Sequence, residues 1–109
     1  MRLHYQSIGQ GEPLVILHGL FGSSDNWRSI ASALSAEREV ISVDLRNHGQ
    51  SFHHPKQTFD LMAEDLLNLL DELALSTIDL MGHSLGGKTA MQFAQMFADR
   101  VRRLIVVDI

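Results

Sequence analysis

Apolar residues recur along the chain in two rhythms, and each predicts a different element. Continuous or nearly continuous apolar runs at 14–17, 40–43, 78–81 and 104–107 have the length and texture of parallel strands covered on both faces. Residues 3–8 alternate more weakly and stop at Gly9-Gln10-Gly11, which predicts an opening strand or one arm of a hairpin. Between these runs the spacing becomes helical. Trp27, Ile30, Ala31 and Leu34 share a face behind an Asp25 or Asn26 cap. Met62, Leu66, Leu69, Leu70 and Leu73 form a stripe behind Thr58, with Glu64, Asp65, Asp71 and Glu72 mostly on other faces. A third helix is predicted over 85–97, with Ala90, Phe93, Ala94 and Phe97 inward. The order β, β, α, β, α, β, α, β implies right-handed crossovers and a three-layer α/β/α arrangement on a mostly parallel sheet. Neither a repeat nor a linker interrupts residues 1–109, so they read as a single domain.

Composition narrows the classes of function. Hydrophobic residues make up 45% and charged residues 20%, the balance of a globular chain rather than a disordered one. Nine Lys and Arg against thirteen Asp and Glu leave a net charge of −4, which offers no basic footprint for nucleic acid. Every apolar run is far shorter than the roughly 20 residues of a membrane span. The start, from Arg2 to Ser7, turns polar before the core of a signal peptide forms. The absence of cysteine removes disulfide and thiolate chemistry and fits a reducing compartment. A cytoplasmic protein with neither a membrane nor a nucleic-acid partner is therefore expected, and no pattern points to a particular oligomeric state.

In open parallel sheets, reactive groups gather beyond the carboxyl ends of the strands. The run at 78–81 is followed by Gly82-His83-Ser84-Leu85-Gly86-Gly87, a G-x-S-x-G pattern between a strand and a helix. That context describes a nucleophile elbow, in which small flanking residues leave room for a Ser held in a strained turn. Ser84 is the predicted nucleophile, and the first helical N–H, that of Leu85, faces the oxyanion that develops when Ser84 attacks an acyl carbon. The competing reading of these residues is a Gly-rich turn with a capping Ser. The run at 14–17 leads into His18-Gly19-Leu20-Phe21-Gly22, a loop suited to bring a second amide to the same oxyanion, that of Leu20, with Phe21 as the neighbouring choice. Phe21 and Trp27 are candidate walls of an acyl pocket. The run at 40–43 ends in Asp44-Leu45-Arg46-Asn47-His48-Gly49-Gln50-Ser51. Because the G-x-G at Gly9 and Gly11 opens no helix, a dinucleotide site is disfavoured, and Asp44 and Arg46 are expected to brace their loop.

Three motifs in order, His18-Gly19-Leu20-Phe21-Gly22-Ser23, Asp44-x-Arg46-Asn47-His48-Gly49-x-Ser51 and Gly82-His83-Ser84-x-Gly86-Gly87-Lys88, resemble the N-terminal part of the α/β-hydrolase-fold serine esterases. The nearest likeness is to small bacterial esterases that act on short acyl esters and acyl thioesters. The resemblance covers essentially the whole chain and implies a triad in the chain order Ser, acid, His. Ser84 matches the nucleophile. Asp108 matches a position where some relatives carry the acid, a strand-end cap being its other reading. The family's His belongs far downstream and has no match in residues 1–109, so the resemblance implies an incomplete domain. Of the six histidines, His83 adjoins Ser84 and should point away from Oγ, and His18 stands at a strand end that the family uses structurally. His53 and His54 fall in a polar loop and are expected to be exposed. No pair has metal-site spacing, and no metal or other cofactor is implied.

Gly82-x-x-x-x-Gly87-Lys88-Thr89 also satisfies the phosphate-cradling G-x-x-x-x-G-K-T pattern, with 104–107 and Asp108 as the magnesium-holding strand. That reading makes the two strands consecutive and leaves His18-Gly19 and the 44–51 loop without a role, whereas the esterase reading uses all three motifs and leaves Lys88 exposed. The expected function is a serine hydrolase that cleaves carboxylic esters or acyl thioesters through an acyl-enzyme on Ser84. A P-loop nucleotide module, or a non-catalytic remnant if the chain ends at Ile109, are the alternatives.

Overall fold

The computed structural model describes residues 2–107. Its elements follow the predicted order: β1 Tyr5–Ile8, β2 Glu12–Leu17, α1 Arg28–Leu34, β3 Arg38–Val43, α2 Phe59–Glu72, β4 Ile78–His83, α3 Leu85–Met96 and β5 Val101–Val107. Short 3-10 turns occupy Ser24–Trp27 and Ala98–Arg100. The strands lie in the order β1-β3-β2-β4-β5, all parallel except β1, which runs antiparallel to β3. β1 and β2 therefore form no hairpin. The backbone of Gly9 and Gly11, at φ 87° and 128°, passes against the backbone of residues 35–38, and β3 fits between the two arms.

Three strands begin earlier than their apolar runs, at Glu12, Arg38 and Val101, because a parallel ladder is built from backbone groups and continues past the last buried side chain. The run at 78–81 also contains a charge that its apolar neighbours mask. Asp79 is only 2% exposed. It accepts from Arg102 of β5 at 2.9 and 3.1 Å and from Arg38 of β3 at 2.7 Å. These guanidinium groups, Arg102 foremost, overcome the cost of burial and hold the Asp79 carboxyl down at about 2.

Helix starts follow local hydrogen bonding. Thr58 caps α2 as expected, its Oγ1 accepting from Leu61 N–H at 3.2 Å. The cap near α1 is Ser23 rather than Asp25 or Asn26. Its Oγ accepts from Asp25 N–H at 3.3 Å, and its own N–H donates to Asn26 Oδ1 at 2.9 Å. The 3-10 turn this builds uses up residues 24–27 before regular helix begins at Arg28.

The larger core, including Leu66, Leu70, Leu80 and Phe93, lies between the sheet and α2 and α3. A smaller one, of Leu14, Ile16, Ala31 and Val40, lies under α1 on the opposite face, which completes the three layers. Ile30 departs from the predicted inward face of α1: it is 44% exposed. β5 departs from the expectation of a strand covered on both faces. It pairs only with β4, and Leu104, Ile105 and Val107 are exposed among the described residues.

Candidate active site

The register of β2 against β4 aligns Leu17 with Gly82, so the chain leaves these adjacent strands with His18-Gly19 beside His83-Ser84. Ser84 sits at φ 54° and ψ −113°, a conformation that L residues rarely adopt and that costs on the order of 1–3 kcal/mol. The flanking glycines explain how the turn is tolerated. A Cβ on Gly82 would fall on the Gly86 carbonyl, and a Cβ on Gly86 would strike the Leu17 and His18 carbonyls where β2 ends. Ser84 occupies the N-cap of α3 but makes no side-chain cap hydrogen bond, so a Gly-rich turn with a capping Ser does not describe it. Its hydroxyl is not engaged in stabilising the helix, and the first-turn amides that begin at Leu85 lack intrahelical partners.

The loop after β2 is a tight turn closed by Gly22 N–H donating to Gly19 O at 3.0 Å, with Phe21 at φ 61°. Among the described residues the amides of Leu20 and Phe21 donate to no protein acceptor. The turn is fixed from behind by His18, which is fully buried. Its Nδ1 lies 2.7 Å from Gly19 O, and its Nε2 lies 3.0 Å from Leu45 N. The carbonyl requires a proton on Nδ1 and the amide requires a lone pair on Nε2, so the ring is the neutral Nδ1–H tautomer. Burial pushes His18 below its ordinary 6.5 against the opposing pull of the Gly19 carbonyl. The ring of His48 lies tilted against it with ring centroids 5.0 Å apart. Its Nδ1 meets Arg46 O at 2.9 Å, while its buried Nε2 has no partner among the described residues.

The loop after β3 is braced as expected. Asp44 accepts from Ser24 N–H at 2.6 Å and Gln50 N–H at 3.0 Å, tying this loop to the start of the 3-10 turn. Arg46 makes a two-point pair with Asp65 of α2, at 2.6 and 2.8 Å, and donates to Lys56 O at 2.8 Å. Both side chains of the pair are largely buried. His53 is exposed as predicted. His54 is only half-buried, its N–H donating to Asn47 Oδ1 and its Nδ1 accepting from Lys56 N–H.

Beside the elbow lies an apolar cleft of about 340 Å³, walled by Gly19, Leu20, Asn26, Trp27, Ile30 and His83. Leu20 and Trp27 thus meet at one cleft. Phe21 does not line it; the side chain is 90% exposed, with its ring 6.5 Å from that of His48. Ser84 is not part of the wall either, though the residue before it is. Ile30 and His83 were missed as cleft residues because helical periodicity assigns Ile30 to the core and strand alternation is silent on a strand's last residue. Asp108, the acid candidate, lies outside the described residues. Among the described residues no histidine hydrogen-bonds Ser84, and no cluster of three metal-ligating side chains occurs.

The geometry also decides against the phosphate-binding reading. Lys88 is exposed, but Thr89 is fully buried. Its Oγ1 donates to Leu85 O at 2.9 Å and touches Met62 Sδ at 3.9 Å. A hydroxyl sealed under α2 is not available to a magnesium ion.

Known proteins share this arrangement. The sequence profile of the alpha/beta hydrolase fold matches residues 12–109. Over 103 residues the chain is 50% identical to an sn-1-specific diacylglycerol lipase of Danio rerio, covering 93% of this chain and 32% of that protein. It is 38% identical over 104 residues to the esterase YbfF of Escherichia coli, covering 95% and 41%. A solved structure of a marine microorganism esterase superposes with a TM-score of 0.95 at 46% identity, covering 96% of this chain and 41% of that one. The chain thus spans about a third to two fifths of the length of these relatives. With the family profile covering residues 12–109 and relatives of this identity, the chain belongs to the alpha/beta hydrolase fold family.

Proposed function

We propose that this chain carries the nucleophile and oxyanion site of a serine hydrolase that cleaves carboxylic esters or acyl thioesters. The observation that carries the reading is Ser84, held at φ 54° at the strand-to-helix junction with a hydroxyl that caps nothing. Ser84 Oγ attacks the acyl carbon, and the amides of Leu85 and Leu20 take up the negative charge on the carbonyl oxygen. The proton of Ser84 passes to a general base and then to the leaving alcohol or thiol as its bond to the acyl carbon breaks. Water attacks the acyl-enzyme, giving up a proton to the same base, and releases the acid with Ser84 restored. The base is the family's downstream His, and the acid that orients it is Asp108.

The names of the esterase and lipase relatives support an ester substrate. The cleft is small for a ligand site, near the lower end of the usual range of about 300–1,000 Å³, which favours a short acyl chain against Trp27. The cysteine-free composition supports the cytoplasm as the compartment; no helix among the described residues is long and apolar enough to cross a membrane. The test is hydrolysis of a chromogenic short-chain ester by the full-length protein and by Ser84→Ala. Turnover abolished by the substitution supports the assignment, and undiminished turnover removes it.

A further inference from the structure

Resting on that reading of Ser84, we propose that His83 is a positioning residue: its imidazole, set against the Gly19 backbone and the Trp27 indole, fixes where the Leu20 amide stands relative to the nucleophile.

The turn at Gly19–Gly22 is held from several sides. His18 Nδ1–H holds the Gly19 carbonyl, the Gly22 N–H closes the turn, and Asn26 Oδ1 anchors the following Ser23 N–H. None of these groups is adjacent to Ser84 in sequence. His83 is, and it reaches the loop directly. A Cβ built on Gly19 would lie 2.8 Å from His83 Nδ1 and 3.3 Å from Cε1, so the ring fills the space a side chain at position 19 would need. The same ring meets the Trp27 indole edge to face, with centroids 5.9 Å apart. Among the described residues neither ring nitrogen of His83 makes a hydrogen bond, and its contribution is therefore one of shape.

The consequence concerns distance. An oxyanion donor is effective only at about 2.7–3.1 Å from the developing charge, and a misplacement of about 1 Å costs on the order of 100-fold in rate. Leu20 follows Gly19 in the chain, so a spacer between Gly19 and the residue preceding Ser84 sets the separation of donor and nucleophile. Removing the ring leaves a gap into which the loop relaxes. Adding a methyl at Gly19 pushes the loop the other way. Both changes misplace the Leu20 amide without touching the nucleophile.

The experiment compares full-length wild type, His83→Ala, His83→Phe and Gly19→Ala. It reads kcat and KM on a short-chain chromogenic ester, the rate at which a fluorophosphonate labels Ser84, and the melting temperature. His83→Ala and Gly19→Ala are expected to lower kcat and the labelling rate about 10- to 100-fold, with KM changed far less. His83→Phe, which restores a ring without nitrogens, is expected to recover most of the loss. Undiminished kcat in His83→Ala, or equal losses in the Ala and Phe variants, overturns the proposal. If His83→Ala does not fold, Gly19→Ala carries the same expectation with the ring intact, and an unchanged kcat there overturns it. A wild type that the probe does not label at Ser84 refutes the nucleophile instead, which separates the two failures.

Discussion

Substituting Ser84 by Gly and by Ala separates the strain of the elbow from the chemistry of its hydroxyl. At φ 54° and ψ −113° Ser84 sits near the first central position of a type II′ turn, where Gly dominates. Ala keeps the Cβ and with it the strain; it loses only a hydroxyl that makes no cap hydrogen bond, so its folding stability should stay close to wild type. Gly releases strain of about 1–3 kcal/mol and gives back about 0.5–1 kcal/mol through its freer unfolded chain. Ser84→Gly should therefore be more stable than Ser84→Ala by roughly 0.5–2 kcal/mol, while both lose ester hydrolysis. Urea denaturation reads the difference as a higher midpoint at unchanged slope. A Gly variant no more stable than the Ala variant would refute the claim that the fold spends stability on holding this Ser.

Other substitutions probe what supports the site. Because burial lowers the His18 value from 6.5, its contribution to stability is complete above about 6.5 and is lost as pH falls through the lowered folded value. Melting temperature followed from pH 7.5 downward should show this step in wild type and lack it in His18→Ala. Asp79, held at about 2 against an ordinary 3.8, contributes stability that is present above 3.8 and lost as pH falls through about 2. Acid denaturation curves of wild type and Asp79→Asn should differ in that window. Arg46→Ala leaves the largely covered Asp65 carboxylate without its two-point partner and should cost about 1.5–3 kcal/mol in chemical denaturation. Arg46→Lys should recover only part of that, since an ammonium cannot reproduce the two-point contact.

Much of this fold is legible in the sequence where burial on one face sets a period. The stripe from Met62 to Leu70 lies inside α2 and is buried, and the four parallel strands coincide with the four apolar runs. Readings fail where a partner distant in sequence decides the outcome. Asp79 is lost within an apolar run, and its role emerges only when β3 and β5 deliver Arg38 and Arg102 to it. Residues 3–8 read equally as an opening strand or a hairpin arm, and only the place of β3 between β1 and β2 decides for the former. At the site, the Ser84 turn is local and is announced by its glycines. The cleft is not, because it forms from one helix, one loop and one strand end that sequence spacing cannot relate. Ile30 reads as core for that reason, and His83 is noticed only as the neighbour of Ser84. His48 stands in the 44–51 motif, but spacing does not announce its burial, which comes with its ring lying against that of His18 where β2 and β3 end side by side.

The central claim, that Ser84 forms a covalent acyl intermediate, is tested most directly by mass. The full-length protein is mixed with a short-chain activated ester, quenched in acid during turnover and digested, and the peptide containing Ser84 is weighed. The account predicts that this peptide gains the mass of the acyl group, and that the gain disappears in Ser84→Ala together with turnover. Turnover without acylation of Ser84, or an acyl adduct that persists in Ser84→Ala, would contradict it.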